Sequence, residues 1–221
     1  MISTSRTSRS TRKLPWIAVS IGAAAAGAIL AFRYYRQRLE GETTRLLEIL
    51  NLRPGMNVAE VGAGKGRMTI RVAQQVRSGG CVLSTESKPR RLRKIRRSAR
   101  KRGLENITVL EGSETGQELP PDSFDAIFMR GVYHHFTAPQ EMDRSLFRAL
   151  RPGGKLVVID FSPRLLLSLC PPKGIPENRR GHGIRKELLK RELTQAGFEP
   201  VREYDDWPFR LYCLTFRKPA A

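Results

Sequence analysis

The stretch "VAEVGAGKGRMTI", residues 58–70, sets three glycines at alternate positions between a short apolar run and an amphipathic one. A strand that enters a helix through so bare a turn leaves few folds open. In an open parallel sheet the ligand sits outside the carboxyl ends of the strands, and the turn after the first strand passes close beneath it. Gly62, Gly64 and Gly66 are expected to clear that approach, with the helix that starts near Gly66 turning its amide ends toward the ligand. A dinucleotide fingerprint GxGxxG asks for its third glycine where Arg67 stands. This chain has GxGxG preceded by Glu60 instead. A second acid, Glu86, follows twenty residues beyond Gly66, where a carboxylate reaches two ribose hydroxyls.

The alternation continues along the chain. Apolar runs of strand length at 57–61, 81–85, 106–110, 124–129 and 155–161 are each followed by a helical or loop segment. That pattern predicts a parallel sheet covered by helices on both faces. Two further runs, 198–204 and 210–216, have only "DDWPF" between them and predict an antiparallel hairpin at one edge. The expected fold is α/β: a doubly wound, mostly parallel seven-stranded sheet with an antiparallel C-terminal hairpin, plus an N-terminal hydrophobic helix. "TAPQ" at 137–140 reads as a capping box with Thr137 as N-cap, and "PGG" at 152–154 as a helix end. Asp125 and Asp160 are assigned to strand hydrogen bonding. The Pro-rich segment 162–183 reads as a lid or a linker.

Of the 221 residues 40% are hydrophobic, which suffices for one domain plus an appendage. Three cysteines, Cys81, Cys170 and Cys213, show no CxxC spacing and argue against a disulfide framework or a structural zinc site. The three histidines show no metal-ligand spacing either, so no metal is expected. Forty Lys plus Arg against 21 Asp plus Glu give a formal charge of +19, which predicts attraction to something anionic. An acidic membrane surface and nucleic acid are the two candidates.

Residues 14–32, "LPWIAVSIGAAAAGAILAF", carry no charge and lie between basic flanks, Arg6, Arg9, Arg12 and Lys13 before and Arg33, Arg36 and Arg38 after. The run is just long enough to span a bilayer. A single membrane anchor is expected, with a cleaved export or targeting segment and a soluble helix as the alternatives; the balanced flanks leave orientation open. The chain thus divides into a basic tail 1–13, the anchor 14–32, a connecting helix 33–50 and the main domain 51–218. Within that domain, "KPRRLRKIRRSARKR" at 88–102 holds ten Lys or Arg and no acid, with Leu92, Ile95 and Ala99 on one narrow helical face. The run contains no aromatic residue for base stacking, so anionic headgroups are favoured over single-stranded RNA as its partner.

From about residue 51 to 218 the chain resembles the class I S-adenosylmethionine-dependent methyltransferases. "EVGAGKG" resembles their first motif, "TESKP" the ribose-binding acid, "LEGSE" the adenine-side loop, and "RALRPGGKLVVIDF" the helix, turn and fifth strand. "RGVYHHF", with "HG" at 182–183 and the closing hairpin, is similar to the small-molecule subgroup that includes quinone-biosynthesis methyltransferases. The resemblance implies S-adenosyl-L-methionine as cofactor. It implies Glu60, Gly62, Gly64 and Gly66 at the methionine end, Glu86 at the ribose, Ser113 and Glu114 at the adenine edge, and Ala63, Ser87 and Arg130 as further cofactor contacts. Lys65 departs from the small or acidic residue often found at its position.

His134 and His135, after the fourth strand, stand where an acceptor should arrive, and histidine titrates near neutrality. They are the candidate catalytic pair, with His182 as a further candidate for the same pocket. The function implied is methyl transfer to a small, apolar or lipid-like acceptor at a membrane. The cofactor is a cytosolic metabolite, which places the domain on the cytoplasmic side; a mitochondrial address is the alternative. Two other readings stay open: an RNA or protein methyltransferase docking through 88–102, and a non-catalytic scaffold that binds adenosylmethionine or anionic lipid.

Overall fold

Each expected strand forms, and their pairing carries the chain outward from the middle of one sheet in two directions. The computed structural model describes residues 14–113, 119–163 and 182–220, with side chains described from residue 26 onward. In chain order the elements are α1 (Leu14–Leu50), β1 (Val58–Val61), α2 (Arg67–Val76), β2 (Val82–Glu86), α3 (Pro89–Arg100), β3 (Ile107–Glu111) and β4 (Phe124–Arg130). After these come α4 (Pro139–Ala149), β5 (Leu150–Asp160), α5 (Lys186–Gln195), β6 (Glu199–Trp207) and β7 (Leu211–Arg217). The sheet order is β3-β2-β1-β4-β5-β7-β6. β7 runs antiparallel to both β5 and β6, which is the expected hairpin at one edge. Val58 of β1 pairs with Val82 on one side and Ala126 on the other, so the winding reverses between β1 and β4. In a sheet of this kind that reversal opens a crevice at the strands' carboxyl ends.

Side-chain alternation divides the apolar interior into two layers. Ala126 and Phe128 of β4 join the layer that holds Leu46 and Leu50 of α1 and Val72 and Val76 of α2. Their neighbours Ile127 and Met129 join the layer beneath Met142 and Leu146 of α4 and Leu189 and Leu193 of α5. This is the period of two that a strand imposes. On α3 the buried residues are Leu92, Ile95 and Ala99, the face read from the sequence.

Three expectations need correction or restriction. The helix α4 is not capped by Thr137: its N-cap is Ala138, without a side-chain cap bond, and Pro139 opens the first turn. Proline's fixed φ starts a helix without help from a hydroxyl. The connecting helix has no boundary of its own, because α1 runs unbroken from Leu14 to Leu50 and the compact unit that contains the sheet begins at Glu42. Among the described residues no helix is long and apolar enough to cross a membrane, so the expected single-pass span has no support there. The side chains of 14–25 lie outside the described residues, as do the tail 1–13, Glu114, Cys170 and most of the expected lid, 164–181. Cys81 and Cys213 are both unbridged.

Candidate active site

A cavity of about 400 Å³ opens where β1, β2 and β4 end. Its floor is the glycine turn after β1. Gly62, Gly64 and Gly66 all adopt positive φ, +74°, +58° and +75°, which side chains disfavour. Their roles differ. A Cβ on Gly62 would come within 2.3 Å of Val132 Cγ2, and one on Gly66 within 2.7 Å of Ile95 Cγ1, whereas one on Gly64 meets nothing within 4 Å. Gly62 and Gly66 therefore let strand, turn and helix pack against one another. Gly64 is the one of the three whose missing side chain leaves bare backbone facing open space, Gly62 lines the same cavity with Val132 beside it, and Gly66 does not reach it.

The turn is held in place by β2. The Gly62 and Ala63 amides donate to the Thr85 carbonyl at 3.0 and 2.8 Å. The Gly64 amide donates to Glu86 Oε2 at 2.8 Å, and the Lys88 amide donates to Glu86 Oε1 at 3.0 Å. Arg91 adds an ion pair to the same carboxylate at 3.4 Å. A carboxylate offers about four acceptor sites. Two short amide bonds fix its plane, and the long Arg91 contact is the one an incoming hydroxyl can replace. Bare backbone at Gly64, an oriented acid at Glu86 and a crevice of this size fit an adenosine-bearing cofactor.

Among the residues expected to hold it, Gly62, Gly64, Glu86, Ser87, Ser113 and Arg130 line the cavity. Glu60, Ala63 and Gly66 do not. Ala63 packs with Leu92, Ile95 and Val109 beneath α3. Glu60 points toward α2, where the Thr69 hydroxyl donates to its Oε2. Burial pushes the Glu60 carboxyl up to about 8, against the opposing effects of the Thr69 hydrogen bond and the Arg67 charge. It keeps its proton at neutral pH, which suits a strand side chain facing an apolar layer and does not suit a group that reaches for a ligand.

The histidine pair is also split. His135 lines the cavity together with Val132 and Phe136. His134 is buried, with Nδ1 2.8 Å from Asp160 Oδ1 and its backbone amide donating to Asp160 Oδ2 at 3.2 Å. The Phe161 amide donates to Oδ1 at 2.9 Å. A carboxylate accepts, so Nδ1 carries the hydrogen of that bond. The two imidazoles lie 4.0 Å apart between centroids. His134 and Asp160, at the end of β5, thus form a buried support behind the ring that faces the cavity. His182 is not among the lining residues.

A second buried carboxylate organises the opposite wall. Glu42, fully enclosed, accepts from Arg130 Nε at 2.6 Å, from Arg67 at 3.0 Å and from Trp207 Nε1 at 3.1 Å. It joins the last turns of α1 to the end of β4, the start of α2 and the end of β6. Phe209 places its ring 5.8 Å from the Arg130 guanidinium. Nothing in the sequence marks Glu42 for this role, since an acid in a helix between leucines has no motif. Val132, Phe136, Lys88 and Arg91, which line the cavity, were within reach of sequence reasoning: the first two stand inside "RGVYHHF" and the others directly follow Glu86. No group of three or more metal-ligating side chains occurs among the described residues.

Comparison with known proteins agrees with this geometry. The family described as "Methyltransferase domain" matches residues 52–197. The chain is similar to Ubiquinone/menaquinone biosynthesis C-methyltransferase UbiE of Pectobacterium carotovorum, 27% identical over 183 residues, covering 72% of each protein. It is 30% identical over 178 residues to the protein of the same name from Shewanella oneidensis, covering 70% of this chain and 71% of that one. Among solved structures, a SAM-dependent methyltransferase from Aquifex aeolicus shares the fold, with a TM-score of 0.65 at 23% identity over 80% of this chain and 89% of the other.

Proposed function

The chain belongs to the class I S-adenosylmethionine-dependent methyltransferases, and on that premise we propose that it methylates a small, apolar or lipid-like acceptor related to those of the quinone-biosynthesis enzymes. What carries this reading is the composition of the cavity's far wall, where His135 stands between Val132 and Phe136 and shares one space with Gly64 and Glu86. An apolar rim with a single imidazole suits a flat, poorly soluble acceptor better than a peptide or a nucleotide.

When bound, S-adenosyl-L-methionine supplies a methyl group already activated on a sulfonium. The protein's share is therefore position and dryness. Glu86 would take the ribose hydroxyls, Gly64 the close backbone approach, Ser87 and Ser113 the nucleoside edge, and Arg130, held by Glu42, the charged amino-acid end. Val132 and Phe136 would exclude water from the acceptor, and His135 is the group placed to take a proton from it. The cofactor is made in the cytosol, and we place the catalytic domain on the cytoplasmic side of a membrane.

The test is transfer from methyl-labelled cofactor by the purified full chain into a lipid extract, an RNA pool and a protein pool, each read by mass spectrometry. Label in a lipid-soluble aromatic product is the expected outcome. Label in RNA or protein alone would replace this reading with the corresponding macromolecular one.

A further inference from the structure

The face of α3 turned away from the sheet has the form of a docking surface. Leu92, Ile95 and Ala99 are buried, and Arg91 and Arg96, on the two flanks, are drawn inward to Glu86 and to the Val109 carbonyl. The remaining cations, Arg90, Arg93, Lys94, Arg97, Arg100 and Lys101, are all exposed. At 3.6 residues per turn these six fall within an arc of about 120°, opposite the buried face, along about 16 Å of helix. Among the described residues none of the six has a carboxylate partner, and no acid interrupts the chain between Glu86 and Glu105. A stripe so dense repels itself, a cost that an anionic surface relieves.

We propose that this stripe docks the enzyme on an anionic lipid surface. The stripe is convex and carries no aromatic side chain, so it offers neither a groove nor a stacking platform for single-stranded nucleic acid, and a planar array of headgroups meets all six cations at once. A second observation points to lipid independently. In the other compact unit, α1 exposes Ile29, Leu30 and Phe32, followed by Tyr34 and Tyr35, with Arg33, Arg36 and Arg38 beside them. Apolar and aromatic side chains set among arginines are the composition of a segment lying in a membrane interface. The proposal rests on the reading of a lipid-like acceptor only for its purpose: Lys88 and Arg91, at the start of the same basic run, line the cofactor cavity, so docking brings the site to where such an acceptor dissolves.

Vesicle co-sedimentation of the full chain tests it. The probes are pure phosphatidylcholine vesicles and vesicles of phosphatidylcholine with phosphatidylglycerol at about 3:1, with any contribution of the apolar segment read from the neutral ones. Each cation near a negative leaflet is worth about fivefold in partition, so the wild-type chain should favour the acidic vesicles by at least about 50-fold. The excess should fade as salt rises from about 0.1 M to about 1 M, where the Debye length shrinks from about 10 to about 3 Å. The variant R90Q/R93Q/K94Q/R97Q/R100Q/K101Q should lose most of that excess, the cations that remain in α1 accounting for the remainder, while calorimetry shows cofactor binding unchanged, because every substituted side chain lies outside both core and cavity. The variant should also still methylate an acceptor dispersed in detergent. Equal partition of the wild type into both vesicles, or an excess undiminished in the variant, overturns the proposal. So does release from acidic vesicles by a stoichiometric amount of single-stranded RNA, which would make RNA the partner. Absence of transfer to the dispersed acceptor in wild type and variant alike, with the wild type still docking, would instead count against the functional reading.

Discussion

Glu60 couples the catalytic domain's stability to pH. Its carboxyl sits near 4.5 when unfolded and at about 8 in the fold, raised by burial. Between these values the native state holds a proton that the unfolded state has released, so stability from this group falls as pH rises through the window and levels off above it. The slope approaches about 1.4 kcal/mol per pH unit. Glu60→Gln keeps the shape and removes the titration. In urea denaturation from about pH 5 to about pH 8, the variant should lose less stability than the parent, with the gap widening at every step. Parallel curves would show that Glu60 ionises in place. The histidines separate in another way. His135→Ala should lower kcat by about tenfold or more with cofactor affinity nearly unchanged, because only the acceptor side is touched. His134→Ala removes the side-chain donor from the buried Asp160 carboxylate, leaving it two backbone amides, and should cost about 1–3 kcal/mol of stability, read by thermal or urea unfolding. Equal kinetic effects without that stability difference would contradict the division of roles.

At the scale of elements, the final turns of α1 act as a latch on the site. Leu46 and Leu50 are buried against the sheet, Lys155 Nζ donates to the Ile49 carbonyl at 2.6 Å, and Arg45 lies 4.8 Å from the Trp207 ring while pairing with Asp206 at 2.7 Å. Glu42 is the part of the latch that reaches the cavity, through Arg130. Glu42→Gln turns an amide donor toward guanidinium donors and should release Arg130, weakening cofactor binding by about tenfold. Trp207→Phe removes one donor from the same carboxylate and leaves Arg130 held, so calorimetry should find its affinity within about twofold of the parent. If both variants bound the cofactor alike, Glu42 would be a stability element with no hold on the site. Segments 33–50 and 51–218 were separated in the sequence because "RPG" breaks the helical period. The packing places the helix's last turns with the sheet instead, since Leu46 and Leu50 have their apolar partners there.

For the whole molecule, local pattern carried most of the architecture. Apolar runs of strand length bounded by turns located all seven strands, and the bare glycine turn with Glu86 located the cavity, because each signal comes from contiguous residues under one local constraint. The buried face of α3 was legible for the same reason. What the sequence could not contain is which partner each polar group meets across the fold. Glu60 and Glu86 are both acids at strand positions beside the glycine turn. Yet Glu60 faces α2 and keeps its proton, while Glu86 faces the cavity and orients the Gly64 amide. His134 and His135 are adjacent and chemically identical, and only the short helical turn they share sends one to Asp160 and the other to the cavity. Gly62, Gly64 and Gly66 read alike until Val132 and Ile95 stand beside two of them. Glu42 reaches Arg67, Arg130 and Trp207 across 25, 88 and 165 residues of chain, distances over which no sequence period operates. Sequence alone determined the elements, their order along the chain and the place of the glycine turn, since those follow from backbone preference and apolar runs. The tertiary structure decided that Glu60 keeps its proton, which imidazole is exposed to the cavity and which glycine leaves bare backbone in it, since those follow from neighbours that only folding supplies.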